Sequence, residues 1–598
     1  MKITACGLDC YDACRIEVEE GEFAIRGSHQ PPTGNGALCP LLNRYMLTTP
    51  RITTPRIDGK AVSMEMALDA VAQALQADKT LLWRGSGNLG VMQEITNLLM
   101  EKLGGRLTRG SLCDGAGDAG ILMGRGVNRT LPLEQIAKSE VVVVWGRNIT
   151  VTNSHLMPYI EGKELIVIDP VVTPIAKKAT LHLQIRPRTD YYIAIMLARF
   201  LFMEGGEDEA WLEEFAPEYE EFYEFTREHR IKPILEYIGV DLGKMGEVLN
   251  LLRDRRVVFL VGAGVQKYST GASVLHAIDS LAATLGLFGR EGCGVSYLGN
   301  SKLHFTDPFA VSSVHVSKVT TPFDTFDTVI VQGGNPVASM PDTTRVLSAI
   351  ASVDQLIYFG LYENETSQRA TIVIPAKNFF EKEDLRLSYG HHYVTQMNTV
   401  VESEIGISEY DFTQALYRRF GFEPLPPLSY YRDLWLNQCQ QIEEGYLSAG
   451  YEENPYQEGF GETGEEEFVF IEEYEDDFIN PKHFTKVRKK TILGKEDQEF
   501  WLISPKSAKS LNTQFIQEGV VWLNPQLGYC DGERVRVSSA YGSYGFSVKV
   551  SEGVREDCLM IYANATGVNY LTPSLLSEEG ESACYQEVKV QLALWQAD

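Results

Sequence analysis

The sequence predicts a multidomain α/β protein with a small cysteine-rich unit, two α/β units built on parallel sheets, and a C-terminal six-stranded β-barrel. Three observations predict this fold. Four cysteines crowd into the first 39 residues, β-branched runs alternate with helical patterns through the middle, and short strands separated by glycine turns end the chain. At 598 residues the chain is too long for one hydrophobic core, so several domains are expected.

Composition and charge narrow the class of protein. Hydrophobic residues make up 44% and charged residues 23%, which is ordinary for a globular protein. The net charge of −27 argues against nucleic-acid binding, although a local basic channel could still admit an anionic substrate. No apolar run reaches the roughly 18 residues of a membrane helix, and the cysteines begin too early for a signal peptide if Met1 is the native start. We therefore expect a cytoplasmic protein without direct membrane insertion.

The first unit, residues 1–60, is predicted from its cysteines. Cys6, Cys10, Cys14 and Cys39 follow the spacing C-x3-C-x3-C-x24-C, so four thiolates can surround one compact centre. Such a ligand set suits an iron–sulfur cluster, which we favour, or a structural zinc ion. A disulfide framework is the weaker alternative, because the other six cysteines are scattered singly: Cys113, Cys293, Cys439, Cys530, Cys558 and Cys584.

Two α/β units are predicted to follow, at residues 61–250 and 251–445. Short apolar strands separated by helical patterns are typical of parallel sheets that are covered on both faces. The predicted strands are Thr80–Arg84, Val141–Trp145, Leu165–Ile168, Arg256–Val261, Thr328–Gln332, Gln355–Gly360 and Thr371–Ile374.

The last third of the chain contains an acidic break and then strands. Residues 452–477 hold twelve acids and neither Lys nor Arg, so we interpret 446–489 as a solvated acidic linker, with a docking surface for a basic partner as the alternative. Residues 490–598 read as a small barrel. Its predicted strands are Glu499–Ser504, Gly519–Asn524, Arg534–Ser538, Gly545–Ser551, Leu559–Ala563 and Glu587–Leu592.

Several predicted strands end in residues that suit ligand binding. In parallel α/β sheets ligands bind beyond the carboxyl ends of the strands, where glycine permits close approach to a phosphate. Each end alone is a weak signal, and Gly262-x-Gly264 lacks the third glycine of a nicotinamide-dinucleotide fingerprint. Four such ends suggest a ligand larger than one nucleotide; they are Trp145–Asn148, Ile168–Pro170, Val261–Gln266 and Gln332–Pro336.

These motifs together resemble the molybdopterin oxidoreductases, the dimethyl sulfoxide reductase superfamily. The resemblance covers nearly the whole chain, its blocks fall in the family's order, and the cysteine spacing is similar to a poorly characterised branch. Further matching blocks are Pro50–Arg56, Asn153–His155, Arg186–Asp190, Gly289–Gly294, Glu381–Asp384, Leu511–Gln514, Asp531–Glu533 and Gly567–Thr572. The resemblance implies molybdenum or tungsten bound by two molybdopterin guanine dinucleotides, together with one [4Fe–4S] cluster.

The resemblance also assigns cofactor-binding residues. For the first dinucleotide half it implies Gly146, Asn148, Asn153, Asp169, Thr173 and Asp190. For the second half it implies Gly262, Gly264, Gln266, Gly334 and Asn335. In the barrel, which caps the pterins in this family, it implies Asn512 and Asn569.

The metal ligand is expected in the loop Gly110–Gly117. Cys113 is the best candidate, because a thiolate suits a high-valent metal that already carries dithiolenes; Asp114 and an inert buried cysteine are the alternatives. Formate dehydrogenases of this family place a histidine after the ligand, so Asp114 makes formate a less favoured substrate. Many members have a lysine just after the fourth cluster cysteine, and here only Arg44 is available.

The predicted function is an oxidoreductase that passes electrons between a small substrate and a partner through one cluster. A single cluster motif implies a separate iron–sulfur or flavin subunit. The alternative is a non-catalytic electron-transfer or assembly subunit that keeps the cluster but not the metal. His391 and His392 resemble a metal pair, but adjacent residues on a strand point to opposite faces, so we expect a local polar role for them.

Overall fold

The computed structural model describes residues 1–19, 23–87, 90–476 and 498–595. The chain divides into two compact units. Unit 1 consists of Met1–Gly110, Ser301–Tyr451 and Ser507–Glu518, and unit 2 consists of the described parts of Ser111–Asn300, Glu452–Lys506 and Gly519–Asp598. Among the described residues, no helix has both the length and the apolarity needed to cross a lipid bilayer.

Unit 1 is built on an eight-stranded sheet whose first six strands are parallel. Its central strands are buried at almost every position, which agrees with the predicted parallel sheet covered on both faces. Its strands, in spatial order, are His315–Ser317, Arg106–Arg109, Thr80–Arg84, Thr328–Gln332, Gln355–Gly360, Ile372–Pro375, Arg56–Ile57 and Lys60–Ala61. Its principal helices are Met64–Ala74, Thr96–Leu103, Pro336–Ser339, Thr343–Ile350, Glu409–Phe420 and Leu428–Leu436.

Three smaller sheets and a short π-helix also belong to unit 1. The N-terminal antiparallel sheet carries the cysteine loop, and a π-helix follows Cys39. The N-terminal sheet consists of Lys2–Ala5, Arg15–Val18 and Ile25–Gly27, and the π-helix is Leu41–Met46. The second sheet consists of Asp384–Arg386, Tyr393–Met397, Gly445–Leu447 and Gln440–Ile442. The third consists of Ser510–Leu511 and Gln514–Phe515.

Unit 2 contains a five-stranded, wholly parallel sheet. The strands Val141–Trp145 and Val257–Val261 are buried at every position and pair with each other at the centre. The outer strands are Leu181–Leu183, Glu164–Ile168 and Gly294–Ser296. The helices are Gly115–Arg125, Leu133–Lys138, Ile149–Thr152, Met157–Ile160, Asp190–Glu204, Glu209–Phe215, Tyr219–Arg227, Ile231–Ile238, Leu242–Leu252 and Gly271–Thr284.

The predicted C-terminal barrel is confirmed as a closed six-stranded barrel in unit 2. Alternate residues point inward, so that Val535 and Val537 are buried while the residues between them lie nearer the surface. The strands, in order around the barrel, are Glu499–Ile503, Cys558–Met560, Val520–Leu523, Ser543–Val550, Arg534–Ser538 and Lys589–Leu594. Residues 490–497 of the predicted range lie outside the described residues.

The predicted sequential order of the two α/β units needs correction. Each parallel sheet takes strands from both predicted ranges: Thr80–Arg84 pairs with Thr328–Gln332, and Val141–Trp145 pairs with Val257–Val261. Residues 507–518, which were assigned to the barrel, belong to unit 1. Fully buried parallel strands look alike in sequence, so their local pattern does not reveal which sheet each one joins.

The acidic segment is also different from the expected solvated linker over its described part, residues 452–476. Its aromatic residues Phe460, Phe468 and Phe470 are buried, and Phe470 stacks on Phe222 at 4.5 Å. Buried Asp476 receives two hydrogen bonds from the Arg188 guanidinium. The acids therefore alternate with apolar anchors, and the segment packs as part of unit 2. Residues 477–489 lie outside the described residues.

Candidate functional site

The four predicted cluster ligands come together in unit 1. Cys6, Cys10 and Cys14 lie on the loop that joins the first two strands, and the Cys6 N–H donates to the Cys14 carbonyl at 2.8 Å, which closes this loop. Cys39 lies just before the helix Leu41–Met46. Cys6 and Cys14 are buried, whereas Cys10 and Cys39 are partly buried.

Burial and the neighbouring cysteines both raise the pKa values of these thiols. Burial, followed by the nearby Cys39, raises the pKa of Cys6 to about 12. Burial likewise raises the pKa of Cys10 and Cys14, and each of them is raised further by the other cysteines. Four thiols whose ionisation is opposed by burial fit a site where a cationic metal centre would stabilise the thiolates.

A segment far away in sequence cradles the cysteine loop from one side. The buried Arg386 guanidinium donates to the carbonyls of Cys6, Leu8 and Cys10 at 3.1, 3.3 and 3.0 Å. Ser388 donates to the Tyr11 carbonyl at 2.7 Å. Sequence reasoning missed these residues, because nothing local links a strand near residue 386 to a loop near residue 10.

The adjacent histidines have the local polar role that was expected. His391 Nε2 lies 3.0 Å from the Asp12 carbonyl, and His392 Nδ1 lies 2.9 Å from Ser448 Oγ, so the two rings serve different partners. Arg44, the only basic residue close after Cys39, is exposed and lies over the Tyr45 ring at 5.7 Å.

Asn512 lies beside the cysteine loop in unit 1. Its side-chain amide donates to Asp9 Oδ2 at 2.8 Å, and the same carboxylate receives the Tyr389 hydroxyl at 3.0 Å on its other oxygen. The residue predicted to contact a pterin from the barrel is therefore part of the surroundings of the predicted cluster ligands. Its role toward a pterin stays a prediction.

The predicted metal ligand Cys113 is exposed and stands directly before the helix Gly115–Arg125. The N–H groups of Cys113 and Asp114 both donate to Ser111 Oγ, at 2.9 and 3.1 Å, and Ser111 Oγ in turn donates to the Asp114 carboxylate. These bonds fold the loop into a tight turn. The position before a helix N-terminus favours a thiolate, since the helix dipole is positive there.

Two consecutive residues of unit 2 hold the carbonyl side of this loop. Lys267 Nζ donates to the carbonyls of Leu112 and Cys113 at 2.8 and 2.5 Å. Gln266 donates to the Cys113 carbonyl, and its side-chain oxygen accepts the Gly117 N–H at 3.1 Å. The predicted role of Gln266 in dinucleotide binding stays a prediction; in the structure its side chain holds the loop that carries Cys113.

The strand ends of the unit 2 sheet bring several predicted cofactor residues to one edge. Gly146, Asp169 and Gly262 follow three adjacent parallel strands. A Cβ at Gly262 or Gly264 would stand 2.3 or 2.7 Å from the Gly146 carbonyl oxygen, so only glycine fits at either position. Residues assigned to different dinucleotide halves thus share one sheet edge.

Two buried acids lie at this same edge. Burial raises the pKa of Asp169 to about 7 and that of Asp190 to about 6. Neutral hydrogen-bond donors lower these pKa values in part: the Val171 N–H lies 2.8 Å from Asp169, and the Trp145 indole N–H lies 2.8 Å from Asp190. Such carboxylates can accept hydrogen bonds from the amino and hydroxyl groups of a bound nucleotide.

The remaining predicted residues of this edge lie in the loops just beyond the strands. Arg147 donates to the Asn153 side-chain oxygen at 3.1 and 3.0 Å, and Asn148 accepts the Thr150 hydroxyl at 2.6 Å. The Thr173 hydroxyl accepts the Ala176 N–H at 3.3 Å.

The other predicted residues are distributed over two places. In unit 1, Gly334 follows the strand Thr328–Gln332, and the Asn335 amide is engaged by Glu365 and by Thr366, each at 2.8 Å. In the barrel region, Asn569 is buried and accepts the Thr572 hydroxyl at 3.1 Å. Asn335 therefore has a structural role at its strand end.

Glycine-paired strand ends beside buried carboxylates are typical of α/β proteins that bind nucleotides. The model of the molybdopterin oxidoreductase family matches residues 47–414, and that of the molydopterin dinucleotide binding domain matches residues 494–589. The chain therefore belongs to the molybdopterin oxidoreductase family, and it is an enzyme of that oxidoreductase class.

Individual relatives agree with this assignment. A probable oxidoreductase, YyaE of Bacillus subtilis, is 27% identical over 71% of this chain and 69% of its own length. The assimilatory nitrate reductase catalytic subunit of Bacillus subtilis is 21% identical over 62% of each chain. The structure of acetylene hydratase from Pelobacter acetylenicus aligns over the whole of both chains with a TM-score of 0.73 at 15% identity, which shows the same fold.

Proposed function

We propose that this chain is a bis(molybdopterin guanine dinucleotide) oxidoreductase, using molybdenum or tungsten, that passes electrons between a small substrate and a partner protein through one [4Fe–4S] cluster. The observation that carries the proposal is a contrast among the cysteines. Four thiols converge in a largely buried loop region, whereas Cys113 is exposed in an ordered turn before a helix. The first arrangement suits a cluster and the second suits a ligand to a substrate-accessible metal.

The residues of the chain fit these groups. Cys113 would supply a thiolate to the metal, and Gln266 and Lys267 would hold the backbone of its loop in place. Asp169 and Asp190 would accept hydrogen bonds from a dinucleotide at the unit 2 edge. When bound, the metal would exchange two electrons with the substrate, and the cluster would carry them singly; the protein's own part is to bind, orient and exclude water.

The substrate and the partner belong to the same proposal. Asp114 stands where related formate dehydrogenases have a histidine, so formate is the least favoured candidate substrate. The favoured candidates are sulfur oxyanions, polysulfide, aldehydes and acyl-CoA-type carbon centres. A single set of four cluster cysteines implies a separate iron–sulfur or flavin subunit that takes the electrons. We also propose that the protein works in the cytoplasm.

Metal analysis and a paired substitution test the function. Protein made anaerobically in a host supplied with molybdenum and tungsten should contain one of these metals and about four iron atoms per chain. Cys113→Ala should abolish dye-linked turnover in a substrate panel and leave the cluster's paramagnetic signal intact. Cys530→Ala, which removes another exposed thiol, should leave both unchanged.

Three results would overturn parts of this proposal. Iron without molybdenum or tungsten would favour the non-catalytic electron-transfer subunit. Full turnover in Cys113→Ala would remove Cys113 as the metal ligand. A protein that contains zinc instead of iron would refute the cluster.

A further inference from the structure

Arg386 occupies an unusual position for a charged side chain. It is 2% exposed, and it points from the strand Asp384–Arg386 at the cysteine loop. Burying a guanidinium is costly unless its N–H groups are satisfied. Here they are satisfied by the carbonyls of Cys6, Leu8 and Cys10, together with that of Leu387 at 2.5 Å.

These hydrogen bonds restrain the turn that carries two of the four predicted cluster ligands. The turn Cys6–Cys10 has three of its carbonyls tied to one planar group, which fixes their relative directions. Ser388 extends the restraint to Tyr11 at 2.7 Å, and His391 extends it to Asp12 at 3.0 Å. The loop is thus held in its conformation by side chains outside the cysteine motif.

The charge of Arg386 has a second consequence. A cluster gains one electron, and therefore one negative charge, when it is reduced. A fixed cation beside its ligands stabilises the reduced form more than the oxidised form, and this raises the reduction potential. Because the site is largely buried, solvent screens this effect only weakly.

We propose that Arg386 is a positioning residue for the cluster: its guanidinium holds the Cys6–Cys10 turn in the ligating conformation, and its positive charge raises the cluster's reduction potential so that the cluster accepts electrons more readily. This inference rests on the proposed [4Fe–4S] cluster. It adds a determinant of electron transfer that lies nearly 350 residues from the cysteine motif.

Two substitutions separate charge from hydrogen bonding. Arg386→Gln keeps an N–H donor but removes the charge, whereas Arg386→Lys keeps the charge with a simpler donor set. Arg345→Met is the matched control, since Arg345 also donates to two backbone carbonyls of unit 1, those of Val319 and Thr321 at 3.1 and 3.4 Å.

The measurement is a redox titration of the intact protein followed by the paramagnetic signal of the reduced cluster, with iron content determined in parallel. Arg386→Gln should lower the ratio of reduced to oxidised cluster about tenfold at a fixed ambient potential, which is a shift of about 59 mV for one electron. Arg386→Lys should stay within about threefold of wild type, and Arg345→Met should not differ from it.

An unchanged potential in Arg386→Gln with full iron content would overturn the proposal, and so would equal shifts in the Gln and Lys variants. If the Gln variant loses its iron, the Lys variant becomes the test. A ratio of reduced to oxidised cluster that differs more than threefold from wild type would then refute the electrostatic role. A wild-type protein without a cluster signal would instead refute the proposed function, so the two failures are distinguishable.

Discussion

Gly115, the first residue of the helix that follows Cys113 and Asp114, gives the sharpest prediction. A Cβ at this position would stand 2.1 Å from the carbonyl oxygen of Gly580, which is a backbone atom that no side-chain rotation can move away. An ordinary carbon–oxygen contact is about 3.3 Å, so Gly115→Ala forces the helix start and the Gly580 segment roughly 1 Å apart. Alanine is otherwise the better helix former by about 1 kcal/mol, but this gain cannot offset such an overlap.

The displaced segment is the one that carries Cys113. The Ser111 N–H donates to the Glu581 carbonyl at 3.3 Å. Ser111 and Gly115, on either side of Cys113, therefore both contact the segment Gly580–Glu581, which the added methyl group would push away. A misplacement of about 1 Å in a reacting group can cost about 100-fold in rate, which corresponds to about 2.7 kcal/mol. We therefore expect dye-linked turnover in Gly115→Ala to fall about 100-fold while the four-cysteine cluster signal is retained.

Gly246→Ala is the matched control. Gly246 lies inside the helix Leu242–Leu252, and a Cβ there meets no atom within 4 Å. This variant should keep full turnover and gain about 0.5–1 kcal/mol of helix stability. If Gly115→Ala turned over at a rate within threefold of wild type with a normal metal content, the close approach to Gly580 would not be what positions the ligand loop.

Three further predictions concern charged groups. Asp279→Asn breaks a fully buried pair with Arg125, and it should lower the apparent thermal midpoint by roughly 4–7 °C, whereas Glu224→Gln at an exposed pair should change it little. In cofactor-free protein the raised pKa of Asp169, about 7, means that the folded state binds an extra proton below pH 7. Between pH 8 and pH 6 the free energy of unfolding of wild type should therefore rise by about 1.4 kcal/mol relative to that of Asp169→Asn. Urea unfolding that gives the same difference between the two proteins at both pH values would contradict this. Lys267→Met frees two loop carbonyls and should slow turnover about tenfold, with partial recovery in Lys267→Arg; an unchanged rate would refute the clamp.

Local patterns predicted the elements well, because strands are specified by their own residues. All six barrel strands were predicted, since the alternation of Arg534–Ser538 and its neighbours is a property of each strand alone. The pairing of the parallel strands could not be predicted in the same way. Val141–Trp145 and Val257–Val261 differ little from Thr328–Gln332, and only the crossover connections decide which of them pair.

The acidic segment shows how a composition argument fails. Twelve acids in 26 residues indicated a solvated linker, but the same stretch contains Phe460, Phe468 and Phe470, which are buried. Burying an aromatic side chain stabilises the packed segment strongly. The acids between the aromatics remain at the surface, so packing the segment does not require burying their charges. The spacing of the aromatics was visible in the sequence and would have predicted a packed segment.

Burial also separates structural charges from cofactor candidates, and this distinction needs the fold. Arg125 and Asp279 are both buried, but they neutralise each other within hydrogen-bond distance, so the protein alone stabilises them. Burial raises the pKa of Asp279, of Asp169 and of the Cys6 thiol alike, but of these three only Asp279 is paired with a buried guanidinium. Groups of this second kind gain most from a ligand that supplies donors or positive charge. Asp169 at the strand ends of the unit 2 sheet and Cys6 in the cysteine loop of unit 1 are two such groups, and in the proposed function a dinucleotide and an iron–sulfur cluster would supply these partners.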